Sequence, residues 1–393
     1  MRVLHTADWH LGKTLEGRSR LEEQAQFLDE LVEIVEREQV DMILMAGDVF
    51  DTVNPPALAE QLFYDSISRL SNNGKRPIAI IAGNHDSPDR LLAATPLAIK
   101  QGITIIGFPT VEVKEIYVPS SDQTVKLAAL PYPSESRLSE VLSEINDELS
   151  LRNKYDERIQ GMFEFMSQQF TPNTVNLAMS HLYVAGGSSS DSERPIEVGG
   201  AYTVAASSLP RLAQYVALGH LHRPQMIKRA ETMARYSGSP LAYSFSEAGY
   251  TKSVTIIDVN PGEEAQLTEV YLSSGKPLVR WKAIQGITQV HEWLEEKKDP
   301  NAWVDLEINV TNALSIEEIQ RIRKAHAGIL HIRPIFEGEL ATEIASSTRD
   351  LPIDELFKRF YERQTGGAKL EPELLSVFLE LLNESQSNVG GEE

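Results

Sequence analysis

Five stretches of the chain run from apolar residues into side chains that bind metal ions or move protons. The first is Val3-Leu4-His5-Thr6-Ala7-Asp8-Trp9-His10, and the second is Met42-Ile43-Leu44-Met45-Ala46-Gly47-Asp48. The third, Ile78-Ala79-Ile80-Ile81-Ala82-Gly83-Asn84-His85-Asp86, packs an amide, an imidazole and a carboxylate into three positions. Asn176-Leu177-Ala178-Met179-Ser180-His181 and Val216-Ala217-Leu218-Gly219-His220-Leu221-His222 complete the set. Side chains two apart on a strand point to the same side, so Asp8 and His10 can share one ion. Cysteine is absent, so any metal must be held by oxygen and imidazole. Such mixed ligands suit Mn, Fe or Zn better than Mg or Ca, which prefer all-oxygen shells.

Each stretch alone is weak. An isolated D-x-H at a strand end is more often structural, G-D is common in turns, and a lone histidine is more often a satisfied core residue. The joint pattern carries the argument, because ligands at the carboxyl ends of neighbouring strands converge on one crevice. Glycine before Asp48, Asn84 and His220 lets the backbone turn sharply and approach the ions closely.

The elements needed to hold these ends are legible as periodicity. Residues 40–46, 77–82, 102–106, 126–130, 174–180, 215–218 and 253–259 read as buried strands. Residues 20–39 and 57–72 read as amphipathic helices between the early ones. Strands mixed with helices on both sides predict a layered α/β domain over residues 1–275. A smaller βαβαβ unit is expected over 276–339: strand 278–284, helix 288–298, strand 302–310, helix 315–327 and strand 329–336. Ser315 followed by Glu318 is a capping box for its second helix. The tail, 340–393, is expected to hold short amphipathic helices over 352–364 and 372–382. Helices this short bury too little to stand alone, so they pack on their own domain or clamp a partner.

Composition narrows the function classes. A length of 393 residues fits about two or three domains of ~100–200 residues each. No apolar run approaches the ~20 residues of a membrane helix, and the N-terminus shows no signal-peptide pattern, so a cytoplasmic protein is expected. The net charge of −20, from 37 Lys and Arg against 57 Asp and Glu, argues against independent binding to a polyanion. Arg223, Lys228, Arg229 and Arg235 form a local basic run that is either a solvated face or a phosphate guide. The small-residue loop 186–190 reads as mobile and able to line a cleft.

In every block the chain resembles the calcineurin-like metallophosphoesterases, and within them the SbcD-type nuclease subunits. Thr6–Gly12, Gly47–Thr52, Gly83–Ser87, His181–Arg194, Gly219–Pro224 and Tyr236–Leu241 carry that likeness. The resemblance implies an α/β fold built as a β-sandwich flanked by helices, with a small α/β cap domain and C-terminal helices. It also implies two divalent metal ions, expected to be manganese. Asp8, His10 and His222 would hold one ion, Asn84, His181 and His220 the other, and Asp48 would bridge them. His85 would assist catalysis, with Asp86 bracing its turn and orienting it. At Asp51, relatives outside the bacteria carry a second histidine, so Asp51 is at best a substrate-positioning residue of the catalytic pair. The family works on DNA ends and hairpins with an SbcC-type ATPase, gripped through the C-terminal helices. It also pairs as a homodimer within a heterotetramer, here through helices 56–70 and 89–99, where Leu91, Leu92, Leu97 and Ile99 would serve pairing or packing. The rivals are a phosphatase or cyclic-nucleotide phosphodiesterase of the same fold, and a non-enzymatic scaffold.

Overall fold

A computed structural model describes residues 1–134, Arg137, 148–193, 202–336, and Ile353, Asp354, Phe357, Lys358, Tyr361, Leu374, Leu375 and Phe378 of the tail. Apart from those positions, the expected tail helices lie outside the described residues, as does Arg194 at the end of the His181 motif. The chain divides into two units, Met1–Arg280 with Asp299–Asp305, and Trp281–Lys298 with Leu306–Glu393.

The first unit is built on two six-stranded sheets. Twelve strands make them: Arg2–Thr6 (β1), Met42–Met45 (β2), Ile78–Ile81 (β3), Ile103–Ile106 (β4), Val113–Val118 (β5), Gln123–Leu130 (β6), Val175–His181 (β7), Tyr215–Gly219 (β8), Gln225–Met226 (β9), Ala234–Tyr236 (β10), Ser253–Asp258 (β11) and Gln266–Tyr271 (β12). Their orders are β12-β11-β1-β2-β3-β4 and β9-β10-β8-β7-β6-β5. Strands β1 to β4 run parallel, as do β6, β7 and β8, so their carboxyl ends share a rim within each sheet.

Alternation assigns every core residue to a face. In β2, Met42 and Leu44 enter the cluster shared with Leu127, Leu177 and Ala217 of the other sheet, which is the centre of the sandwich. Ile43 and Met45 face the opposite way, onto Phe27, Leu31, Phe63 and Ile67. Those four belong to helices Leu21–Arg37 (α1) and Ala57–Leu70 (α2). The buried positions of α1, Phe27, Leu28, Leu31, Ile34 and Val35, form one stripe at helical spacing. On the far side of the second sheet, Ala178, Val216 and Leu218 pack with Tyr155, Ile159 and Phe163 of helix Glu148–Ser167 (α5). Central strands are thus buried on both faces and read as continuous apolar runs.

Two short helices, Pro88–Leu92 (α3) and Thr95–Ala98 (α4), follow β3. Three strands, Leu278–Ala283 (β13), Trp303–Val310 (β14) and Ile329–Phe336 (β15), form a separate sheet in that order. Helices Ile287–Glu295 (α6) and Ile316–Ala325 (α7) lie between them in the chain. The side chain of Ser315 caps α7 by accepting from the Glu318 amide at 3.1 Å. The predicted strands and helices of residues 20–336 appear, displaced by a few residues at most, except that the expected helix 89–99 is broken into α3 and α4. Helix α5 and strands β5, β10 and β12 were not legible: α5 has only a weak apolar periodicity, and β12 is exposed or half-exposed throughout.

Phe63 is fully buried between Trp9 and Phe50, with ring centroids at 6.4 and 5.3 Å. Phe63→Ala should therefore destabilise the first unit by about 3–5 kcal/mol in urea unfolding. A loss below about 1 kcal/mol would contradict this packing.

Candidate metal centre

Main-chain amides lace together the loops that leave four of the strand ends. The Asp8 amide donates to the Gly47 carbonyl and the His10 amide to the Asp48 carbonyl, each at 3.0 Å. The His220 amide donates to both oxygens of Asp8, at 2.9 and 3.2 Å, joining β1 to β8 of the opposite sheet. The His85 amide donates to Asp48 Oδ1 at 2.9 Å. Four expected ligands hold positive φ although none is glycine: Asp8 at 55°, His10 at 47°, Asp48 at 52° and His220 at 107°. Such residues cost of order 1–3 kcal/mol each and persist where surroundings over-determine them, typically at functional sites. Two glycines make the close approach possible. A Cβ on Gly83 would strike Asp48, and one on Gly219 would strike the Ala46 carbonyl.

All seven expected ligands meet. Asp8, His10 and His222 form one group, and Asp8, Asp48 and His181 another, with one ligand atom from each residue within 4.8 Å of the others. Asp8 thus faces both groups rather than one. Asn84 Oδ1 lies 2.9 Å from His181 Nε2 and 3.3 Å from His220 Nδ1. His181 Nε2 is also 3.4 Å from Asp48 Oδ2. His10 Nε2 stands 3.0 Å from His222 Nε2 and 3.6 Å from Asp48 Oδ2.

This arrangement fits metal ions better than it fits a hydrogen-bond network. His181 Nδ1 lies 2.9 Å from the Ala46 carbonyl, which can only accept, so that nitrogen carries the proton. The lone pair of His181 Nε2 then points at oxygens that are also acceptors. Asn84 turns its oxygen toward the imidazoles and leaves its buried Nδ2 without a hydrogen-bond partner among the described residues. A hydrogen-bonding amide would do the reverse. Asp8, His10, Asp48, His181, His220 and His222 are all buried, so water cannot relieve the crowding.

Ionisation follows from the same crowding. Burial pushes the Asp8 carboxyl up to about 7. Burial lowers His10 to about 3 and His220 well below the usual imidazole range, leaving both neutral and able to ligate. Burial also opposes the charged form of His181, but Asp48 and Asp8 outweigh it and raise this group to about 9. Asp48 is correspondingly held well below the carboxylate range, against its burial, by His181 and His10. Without ions, one proton therefore sits on His181 between two carboxylates.

His85 stands beside the ligands, its ring 4.8 Å from that of His10. Its Nδ1 donates to the Asp51 carbonyl at 2.7 Å, which leaves Nε2 with no hydrogen bond among the described residues. Asp51 itself is anchored by Lys13 Nζ at 2.8 Å and lies 3.4 Å from His10 Nδ1. Asp86 braces the turn as expected, accepting from the amides of Gly83, Val49 and Phe50 at 2.8, 3.2 and 3.0 Å. The orientation of His85 expected from Asp86 comes instead from the Asp51 main chain. Arg137 donates to the carbonyls of Gly83 and Asp86 at 2.7 and 2.8 Å, holding the same loop from outside. Sequence reasoning missed Lys13, Arg137 and Glu247, which stand in no motif and reach the site only through folding. The basic run is not one surface: Arg235 is buried, bonding Thr255 and pairing with Glu269, while Arg223, Lys228 and Arg229 are exposed. The 186–190 loop is tied down, with the Ser188 amide donating to Gln225 at 2.8 Å and Ser190 bonded to Glu193.

Comparison with known proteins gives the family. Residues 1–224 match the family described as calcineurin-like phosphoesterase, and residues 274–365 match a domain described as "Type 5 capsule protein repressor C-terminal domain". The chain is 64% identical over 381 residues to the D subunit of nuclease SbcCD from Bacillus subtilis (strain 168), covering 97% of each. It is 35% identical over 286 residues to the protein of the same name in Staphylococcus epidermidis (strain ATCC 12228 / FDA PCI 1200), covering 73% of this chain and 72% of that one. A dimetal phosphatase from Danio rerio superimposes with a TM-score of 0.41 at 14% identity, covering 68% of this chain and 98% of that one. With more than half its length matched to the phosphoesterase family and most of its residues shared with the Bacillus protein, the chain belongs to the calcineurin-like phosphoesterases, among the D subunits of SbcCD nucleases.

Proposed function

We propose that this chain is the nuclease subunit of an SbcCD complex, hydrolysing DNA phosphodiesters at double-strand ends and hairpins with two divalent ions, manganese in the first instance. The observation that carries this reading is the convergence of acceptor atoms from Asp8, His10, Asp48, Asn84, His181, His220 and His222, with the Asn84 amide nitrogen left over. Asp8, His10 and His222 would hold one ion, Asn84, His181 and His220 the other, with Asp48 between. When bound, such a pair activates water and clamps both attacking and leaving oxygens of a phosphate ester.

The chain's own residues supply the rest. Lys13 and Asp51 position the His10 ring and, through the Asp51 carbonyl, fix the tautomer of His85. In its imidazolium form His85 would carry a second hydrogen on Nε2, which it could give to the oxygen that leaves as the P–O bond breaks, returning to the neutral ring with its hydrogen on Nδ1. Asp51 acts as a positioning residue in this scheme.

The three-part division 1–275, 276–339 and 340–393 belongs to the same proposal, with the tail gripping an SbcC-type ATPase that supplies the cationic DNA surface this −20 chain lacks. A homodimer through α2 to α4 is supported by the exposure of Leu58, Leu97 and Ile99, at 65%, 73% and 64%, whereas Leu91 is buried and serves packing. No helix among the described residues is long and apolar enough to cross a membrane.

Four outcomes are expected. With Mn2+ and the co-purified ATPase, duplex DNA ends should be degraded in preference to cyclic nucleotides and phosphomonoesters, and a chain ending at residue 340 should lose the ATPase in pull-down. Preference for a monoester would turn the reading toward a phosphatase. His85→Ala should retain both ions by metal analysis while activity falls ~10²–10⁴-fold, the usual contribution of a general acid; ion loss would give His85 a structural role. Because His181 sits near 9 in the metal-free protein, Mn2+ uptake at pH 7 must displace its proton. Apparent affinity should therefore fall about tenfold per unit as pH drops from 8 to 7, visible as proton release in calorimetry at two buffer enthalpies. Uptake without proton release would contradict the assignment of His181.

A further inference from the structure

We propose that Glu247, acting through Ser192, is the positioning residue that sets the tautomer of His222 and so the strength of one metal site. This rests on the two-ion reading above. Glu247 lies in a short helical turn, Phe245–Glu247, outside every motif, yet its side chain is fully buried. Its two oxygens have separate tasks. Oε2 pairs with Lys252 Nζ, and Oε1 accepts from the Ser192 hydroxyl and, at 3.1 Å, from the Tyr243 amide.

The proton positions follow from chemistry. A carboxylate can only accept, so the Ser192 hydrogen points at Glu247 and the Ser192 lone pair faces His222. Ser192 Oγ is 2.8 Å from His222 Nδ1, and Glu247 Oε1 is itself 3.4 Å from that nitrogen. His222 Nδ1 therefore carries the ring hydrogen, and Nε2 presents its lone pair toward His10 Nε2 at 3.0 Å. A partner on the far nitrogen fixes a ligand's orientation and raises its basicity, and losing it typically costs 10–100-fold in metal affinity.

Lys252 completes the device. Its ammonium also donates to the His222 carbonyl at 3.0 Å and to Ser239 Oγ at 2.9 Å. Lys252 gives the buried Glu247 carboxylate a counter-charge and fixes the main chain of the residue it orients. Glu193 adds a second tie, accepting from the His222 amide at 2.8 Å, so the 188–193 loop is fastened to this ligand at both its main chain and its ring.

The test uses the full chain, stripped of metal and titrated with Mn2+. Removing Glu247 alone would strand the Lys252 charge, so the variant is Glu247→Gln with Lys252→Met. Wild type should bind two ions. The double variant should bind one with unchanged affinity and the other about 10–100-fold more weakly, while its metal-free melting temperature stays close to wild type and its Mn2+-induced stabilisation shrinks. Wild-type affinity for both ions in the double variant would overturn the inference, whereas fewer than two ions on wild type would instead sink the two-ion reading. If the double variant does not fold, Ser192→Ala, which disturbs no charge, decides: a weaker single site supports the relay, and an unchanged isotherm overturns it.

Discussion

Everything at the rim of this sandwich follows from bringing electron pairs together where water cannot separate them. His181 Nε2, Asn84 Oδ1, Asp48 Oδ2 and His220 Nδ1 crowd within hydrogen-bond distance, and His10 Nε2 confronts His222 Nε2 at 3.0 Å. Buried acceptors without donors are expensive, and only a cation or borrowed protons can relieve them. The raised groups at Asp8 and His181 are the proton solution, and divalent ions are the other. A fold that maintains such frustration is poised to take up metal.

The frustration is sustained by the scaffold in two ways. Parallel strands deliver their carboxyl ends to one edge, while bonds such as that from the His220 amide to the Asp8 carboxylate lock one sheet's loop against the other's side chain. Positive φ at Asp8, His10, Asp48 and His220 shows that local preference was overridden by these ties. Behind the ligands stands a ring of charged supports: Lys13 with Asp51, Arg137 on the Gly83 and Asp86 carbonyls, and Lys252 with Glu247. Lys13 and Lys252 are each neutralised by their carboxylate, whereas Arg137 keeps its charge and holds main-chain oxygens.

Membership in the SbcCD nuclease family also reconciles two features that otherwise oppose each other. A phosphodiesterase site sits in a chain whose net charge of −20 would repel DNA. In the proposed reading, divalent ions at the rim and a partner subunit would offset that repulsion locally, because phosphate contacts are made at short range within a screened medium.

The sequence by itself determined which residues meet at the rim and the strands that carry them, because both are local. An apolar run ending in G-D, G-N-H-D or G-H-x-H encodes its own strand, its own turn and its own chemistry within a dozen residues. The buried stripe of α1 was equally plain. Tertiary structure alone decided what depends on distant chain segments meeting. It turned Asp8 toward both groups of ligands, gave the orientation of His85 to the Asp51 carbonyl, and removed Arg235 from the surface to the side of Glu269. It also brought Glu247 to His222, across 25 residues with no motif at either the carboxylate or its lysine. Such contacts leave no periodicity to read, since a residue that supports a ligand from behind is chosen by where the fold brings it, not by its neighbours in the chain.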